Sequence, residues 1–256
     1  NHGLTPQEIF FYRFLIAYTG IWVISPKRLF TGNWKDELWL VAGGIFGGSL
    51  YFFTENTALG ITQASNVSFI ICTAPLLTTI LSLLFYKSEK ASKGLIYGSL
   101  LALMGVGLIV FNGSFVLKIS PIGDLLTLLA ALSWAFYSLI IKKMAGRYPT
   151  VFITRKIFFY GVLTILPAFL LHPLQPDTAV LLQPGVLFNL LFLAVLASLI
   201  CYVLWNVVLK QLGTVRASNY IYLNPLVTLI LDEKITLVAL GGAACIVCGV
   251  YWAEKK

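Results

Sequence analysis

The chain is predicted to be an all-helical integral membrane protein. It reads as a ten-helix bundle of two inverted five-helix repeats, of which nine helices are present. Three observations lead there. The residues are 59% hydrophobic and only 11% charged, a balance too apolar for an ordinary soluble core. Apolar runs of about 20 residues, the length that crosses a bilayer, alternate with short polar loops. The stretch from Phe52 to Gly105 also recurs in diverged form later in the chain. Each copy carries an odd number of spans, so the two halves must insert upside down relative to each other, as in many secondary transporters.

Taken in order, the first span covers 6–25, opens at Pro6 and carries Arg13. The second, 37–59, carries Glu55; stepping back by fours gives Tyr51, Gly47 and Gly43. The acid is therefore expected to share a face with a small-residue stripe and to point into the bundle. The third, 64–86, contains Pro75, and the fourth covers 94–112. The fifth, 123–141, holds Trp134, Tyr137 and Ser138 at helical spacing. The sixth, 150–171, follows Pro149 and carries Arg155 and Lys156. The seventh, 185–209, places Ser198, Tyr202 and Trp205 on one face with Asn206 beside them. The eighth, 217–231, contains Ser218, Tyr222 and Pro225, and the ninth covers 235–253.

The repeat sets the domain organisation. At an offset of 150, Asn56 falls on Asn206, Leu59 on Leu209, Ser68 on Ser218, Pro75 on Pro225 and Thr78 on Thr228. At an offset of 144, Glu89-Lys90 falls on Glu233-Lys234, Gly98 on Gly242 and Gly105-Val106 on Gly249-Val250. The first repeat is therefore 1–120, helices 2–5 of the ten, and the second 121–256, helices 6–10. Span 121–145 opens the second copy and has no counterpart here, so the first helix is expected to be absent. Thirteen residues separate Pro75 from Glu89 but only seven separate Pro225 from Glu233. Six residues are roughly 9 Å of helix, more than an intact span can lose. The ninth of the ten helices is thus shortened, and residues are expected to be missing near Ile230. No cleavable signal peptide is visible.

The net charge of +8 raises nucleic acid as a partner, and the distribution of charge argues against it. Lys27, Arg28, Lys35, Lys87, Lys90, Lys93, Lys142, Lys143, Arg147, Lys210, Arg216, Lys255 and Lys256 all fall on one side of the predicted topology, and only Lys118 and Lys234 on the other. That bias makes the basic side, and the C-terminus, cytoplasmic. Cys72, Cys201, Cys245 and Cys248 lie in apolar helix and read as small packing residues. A lone Cys-x-x-Cys without a second pair is weak evidence for a metal, and no cofactor is expected. Zinc-protease, nucleophile-elbow and nucleotide-loop motifs are missing, so neither an enzyme nor a nucleotide-driven pump is expected.

These residues carry a family resemblance. The span count, the duplication, the Ala-Ser…Leu-x-Pro-Leu pattern from Ala217 to Leu226, the Glu-Lys-x-Ser/Thr segments and the run from Gly123 to Ala135 resemble the drug/metabolite transporter superfamily, and within it the bacterial EamA-like proteins. The resemblance covers essentially the whole chain and implies an inner-membrane, multi-pass exporter of a small metabolite, often an amino acid, working by alternating access. A lipid or lipid-linked sugar flippase is the alternative, and an intramembrane enzyme a remote one.

The candidate substrate-binding residues are polar or aromatic groups at membrane depth, where a charge or amide is costly unless it faces protein or water. Glu55 reads either as a proton-coupling acid or substrate partner, or as an acid reaching interfacial water. Asn56 and Asn206 read either as hydrogen-bonding groups near a central cavity or as ties between helices. Trp134, Tyr137, Trp205 and Tyr222 read either as cavity lining suited to an apolar or cationic cargo or as packing. Arg13 reads either as a gate or carboxylate ligand or as a snorkelling cation; Arg155 and Lys156 are expected to snorkel to the basic side. Pro75 and Pro225 are expected to bend their helices. The expected partners are a small-molecule substrate, protons and the lipid bilayer.

Overall fold

A computed structural model describes residues 4–26, 30–86, 92–111, 120–171, 173–174, 178–231 and 236–254. Lys27, Arg28, Lys87, Lys90, Lys118, Lys234, Lys255, Lys256, the repeat pair Glu89 and Glu233, and both histidines, His2 and His172, lie outside the described residues. Within them every regular element is helical. Among the described residues six stretches are long and apolar enough to cross a membrane: Ala64–Phe85, Lys93–Phe111, Pro121–Ala145, Thr150–Leu170, Pro184–Leu212 and Leu237–Glu254.

The helices follow the sequence signals closely. α1 (Pro6–Ile24) starts at a capping box: the Thr5 hydroxyl accepts from the Glu8 amide and the Glu8 carboxylate accepts from the Thr5 amide, with Pro6 in the first turn. α2 (Trp34–Gly44) is capped by Asn33 and runs through a π-helical segment, Ile45–Ser49, into α3 (Leu50–Ile61). α4 (Ala64–Ile71) and α5 (Ala74–Phe85) are separated at Cys72 and Thr73, immediately before Ala74 and Pro75. After α6 (Lys93–Phe111) and α7 (Pro121–Ala145), α8 (Thr150–Ile165) is followed by the short α9 (Ala168–Leu171) and α10 (Thr178–Leu181). α11 (Pro184–Leu191) continues through a second π segment, Phe192–Ile200, into α12 (Cys201–Leu212). Gly213, whose positive φ suits a residue without a Cβ, makes the single-residue turn into α13 (Thr214–Asn219). A 3₁₀ segment, Tyr220–Leu223, then leads to α14 (Asn224–Leu231), and α15 (Leu237–Glu254) ends the described chain.

The irregularities recur at the repeat offset. Ile45–Ser49, shifted by 150, falls inside the second π segment, and the break at Cys72 and Thr73 falls on Tyr222 and Leu223 in the 3₁₀ segment. Each proline that the sequence marks as a bend therefore sits just after a break: its missing N–H and its clash with the preceding turn disfavour continuous helix there.

The chain divides into two compact units that do not coincide with the sequence halves, because each draws helices from both. Unit 1 comprises 1–56 and 136–211. In it α1 packs on α8 and on the second π segment, while α8 packs on α1, on α2 and on the first π segment. Phe14 of α1 and Phe158 of α8, equivalent at an offset of 144, meet edge to face at 5.1 Å, a favoured aromatic geometry. Gly44 and Gly48 let their helix lie against Gly161, as small residues do at close helix crossings. A Cβ on Gly44 would sit 2.5 Å from Tyr160 Cβ.

Unit 2 comprises 57–135 and 212–256. Its core is the antiparallel pair α6 and α15, with Cys72, Ala102, Val106, Tyr222 and Ile246 among the buried residues. Gly98 meets Gly249 and Ala253, whereas Gly105 meets Gly242 and Ile246. Since Gly98 is the repeat mate of Gly242, and Gly105 of Gly249, each contact is the reciprocal of the other, the pattern a local two-fold produces. At the start of α7, Gly123 lies against Thr62, where a Cβ would sit 2.7 Å from Thr62 Cβ, and Asp124 accepts from the Ser120 amide at 3.1 Å. The Gly123-Asp124 motif is thus a packing and capping device.

Candidate functional site in unit 1

Arg13 and Glu55 lie in the same unit, on α1 and α3, close enough for their charges to interact without forming a direct ion pair. The Arg13 guanidinium lies 4.5 Å from the centroid of the Phe52 ring and 6.0 Å from that of Phe14. Its Nε donates to Ser198 Oγ, in the second π segment, at 2.9 Å. One turn along α3, the Tyr51 hydroxyl donates to Glu55 Oε1 at 2.9 Å, the pairing that a four-residue helical spacing allows. Arg13, Tyr51, Phe52, Glu55 and Asn56 are all half-buried, and Ser198 is buried.

Both π segments serve this cluster. A π turn shifts the backbone hydrogen-bond register and releases carbonyls from the helical ladder. The carbonyl of Gly47, inside the first π segment, accepts the Tyr202 hydroxyl at 2.6 Å. The Tyr202 ring packs against Phe14, Phe158 and Tyr137 at centroid distances of 5.7, 5.4 and 6.0 Å.

The other expected site residues divide between the two units. Tyr137 donates to Asn206 Oδ1 at 2.7 Å, and Asn206 Nδ2 donates to Thr154 Oγ1 at 2.9 Å. Asn206 has no exposed surface, so both ends of its amide are used in tying α7, α12 and α8 together. Asn56, its repeat mate, has no hydrogen-bond partner among the described residues. Trp205 is half-buried in unit 1, and Trp134 half-buried in unit 2. Tyr222 is also in unit 2, wholly buried in the apolar core beside Cys72 and Ala102. Among the described residues no cluster of His, Cys, Asp or Glu could hold a metal ion.

A second charged network lies at the opposite end of the α2–α3 helix, and it corrects the expectation for Arg155 and Lys156. Neither side chain lies on the surface; both are buried, with Lys156 only 2% exposed. Lys156 pairs with Glu37 and donates to the Tyr160 hydroxyl at 3.1 Å, and Tyr160 in turn donates to Glu37. The second Glu37 oxygen accepts the Thr31 amide at 3.0 Å and hydroxyl at 2.8 Å. Arg155 donates to the Ser25 carbonyl. Nearby, Asp36 pairs with Arg147 at 2.6 Å and accepts the Tyr148 hydroxyl at 2.9 Å. Desolvation, then the hydrogen bond to Asp36 and its charge, hold the Tyr148 phenol above its usual range.

Sequence reasoning did not single out Phe52, Thr154 or Glu37. Phe52 left a signal, because it is the repeat mate of Tyr202 at an offset of 150. The pairing of Glu37 with Lys156 left none, since the partners come from opposite halves of the chain.

A solved crystal structure superposes with a TM-score of 0.76, covering 98% of this chain and 88% of that one at 18% identity, so the fold is shared. An uncharacterized transporter of Archaeoglobus fulgidus is 29% identical over 99% of this chain and 89% of its own length. Probable amino-acid metabolite efflux pumps of Salmonella typhimurium and Escherichia coli are 27% and 24% identical, each over 98% of this chain and 86% of its own length. The sequence profile of the EamA-like transporter family matches residues 1–111 and 121–253. Helices of membrane-spanning length, recurring breaks and a match over nearly the whole sequence agree: this chain belongs to the EamA-like transporter family.

Proposed function

We propose that the protein is a secondary-active exporter of a small polar metabolite, an amino acid or close derivative, working by alternating access in a bacterial inner membrane with its C-terminus in the cytoplasm. The observation that carries this reading is the cluster of Arg13, Phe52, Tyr51, Glu55 and Ser198. It offers a cation, an anion and an aromatic face from membrane helices. Such groups are costly in hydrocarbon and mark a substrate pathway. Tyr137, Asn206 and Thr154 hold the helices behind it, and Asn56 and Trp205 adjoin it in sequence.

The reciprocal contacts of Gly98 with Gly249 and Gly105 with Gly242, the matched π segments and the two matched breaks support an inverted duplication. The printed names of the Salmonella and Escherichia relatives support amino-acid-type cargo.

A second reading, lipid or lipid-linked sugar flipping, has one observation in its favour. An apolar cleft of about 320 Å³ in unit 1 is lined by Leu4, Ile9, Val186, Asn189, Leu190 and their neighbours, and it suits an acyl chain. Counterflow of labelled amino acids into proteoliposomes tests the two. Saturable accumulation of one amino-acid class is the expected result. No accumulation by folded protein, with movement of a fluorescent lipid between leaflets, would establish the second reading instead.

A further inference from the structure

We infer that the start of α2 and the end of α7 form a binding site for one anionic phospholipid, held as a structural ligand and not as cargo. Its phosphate lies among Lys35, Lys143 and Arg147, and an acyl chain runs along the seam between the two helices.

Contacts at four successive levels fix that seam, all within unit 1. Arg147 pairs with Asp36 at 2.6 Å. One turn away, the Lys143 ammonium stands 3.7 Å from the centroid of the Trp39 ring. Deeper still, the Phe136 and Phe46 rings lie 5.3 Å apart, and a Cβ on Gly47 would sit 2.2 Å from the Tyr137 ring. Residue numbers rise along α2 as those of their partners fall along α7, so the helices run antiparallel in a constant register. Lys143 and Phe136 are two turns apart on one face of α7, about 10 Å along its axis. The seam therefore presents a cation and an aromatic ring at its mouth, and a pair of half-buried aromatic rings below them.

The acids of this segment are used inward. Asp36 is buried and holds Arg147 and the Tyr148 hydroxyl, while Glu37 holds Lys156. Lys35 and Lys143 have no anionic partner among the described residues; their ammonium groups lie near the rings of Trp34 and Trp39. The mouth of the seam is thus a cationic surface, and exposed Trp34, Leu38 and Trp39 rim it. Tryptophan beside lysine and arginine at the end of a membrane helix belongs at headgroup level. Basic pockets between membrane helices are suited to anionic headgroups there.

Charge and apolar surface together select the occupant. A soluble anion would satisfy the cations but leave Trp39 and Leu38 uncovered. A zwitterionic phospholipid would cover them but bring its own ammonium against the lysines. An anionic phospholipid meets both demands: its phosphate accepts from the lysines, and its chain lies over Trp39 toward Phe46 and Phe136.

Native mass spectrometry of the whole protein, titrated with phosphatidylglycerol or phosphatidylcholine of the same chain length, tests the inference. One phosphatidylglycerol should be retained at least about tenfold more tightly than phosphatidylcholine. Lys35→Gln and Lys143→Gln should each weaken it about fivefold, the attraction of one cation near the surface. Lys210→Gln, an exposed cation of α12 outside the seam, should leave it unchanged. Dihexanoyl phosphatidylglycerol should bind about tenfold or more weakly, because it buries few methylenes. Phosphatidylglycerol with brominated chains should quench tryptophan fluorescence less in Trp39→Phe than in wild type. Equal retention of the two headgroups would overturn the inference, as would an effect of Lys210→Gln as large as that of Lys143→Gln. Undiminished binding of the dihexanoyl lipid would reduce the site to one for phosphate alone and overturn the acyl seam. If a lysine variant fails to fold, the headgroup comparison and the quenching of wild-type protein decide the matter. None of these readouts depends on movement of cargo, so their failure would leave the transport reading standing.

Discussion

Glu37→Gln is the most informative perturbation of stability, because its two consequences can be worked out atom by atom. In the native protein the Lys156 ammonium, 2% exposed, has Glu37 as a counter-charge and also donates to the Tyr160 hydroxyl at 3.1 Å. A glutamine at 37 has one acceptor oxygen. If that oxygen keeps both Thr31 bonds, its amide nitrogen faces the ammonium and two donors oppose each other. If it turns toward Lys156, the Thr31 amide loses its acceptor at about 0.5–1.5 kcal/mol, while the Thr31 hydroxyl keeps the Asn33 carbonyl. Either way the ammonium loses its buried counter-charge, a loss worth about 3–5 kcal/mol. The expected melting temperature falls by roughly 6–12 °C, taking the lower end of that range.

The reverse perturbation should be milder. Lys156→Met leaves a Glu37 side chain that is 18% exposed and still has Thr31 and Tyr160 as donors. Its cost should be about 1–2 kcal/mol. The double variant should recover most of the loss, giving a coupling energy of about 3 kcal/mol. Thermal unfolding of the four proteins in one detergent, followed by near-ultraviolet circular dichroism, measures the whole cycle. A Glu37→Gln protein that melts within about 2 °C of wild type, or losses that simply add, would refute the reasoning.

Three further outcomes follow from the packing. Gly105→Ala places a methyl 2.5 Å from the Gly242 carbonyl oxygen. α6 and α15 must then part, at a cost of about 1–3 kcal/mol. Gly60→Ala, with nothing within 4 Å of the added methyl, should melt no lower than wild type and serves as its control. Tyr137→Phe loses the hydrogen bond to Asn206 and should cost about 1 kcal/mol. Asn206→Ala should cost more, because it also frees Thr154, and the same melting assay separates the two. Asp36→Asn loses a pairing with an Arg147 side chain that is 54% exposed. It should cost no more than about 1 kcal/mol, and that small loss should shrink as salt is added.

Much of this architecture is legible in the sequence because hydrocarbon imposes a simple rule: runs of about 20 apolar residues must satisfy their own backbone as helix. Span 94–112 is realised as Lys93–Phe111 and span 150–171 as Thr150–Leu170 for that reason. The prolines at 75 and 225 likewise mark breaks, since a ring without an N–H acts locally. Pairings between distant helices were not legible. Lys156 looks like a snorkelling lysine when only its own helix is considered, and only the fold brings Glu37 to it. Asn206 was ambiguous between binding and tying until Tyr137 and Thr154 were found at its two ends. The small-residue stripe from Gly43 to Glu55 was legible only in part for another reason: stepping by fours assumes an unbroken α-helix, and Ile45–Ser49 is π-helical.

That interruption has a consequence for how α3 is aimed. Ile45–Ser49 is wound with a wider turn, which amounts to one extra residue in the helix. One residue is worth about 100° of rotation. Gly43 and Gly44 therefore address α8, whereas everything after Ser49 is turned to another quarter, and Glu55 comes to share its surroundings with Arg13. The angular setting of the acid is thus stored upstream, in the length of a glycine-containing segment. Removing one residue there would swing Glu55 off its bearing without altering a single side chain around it.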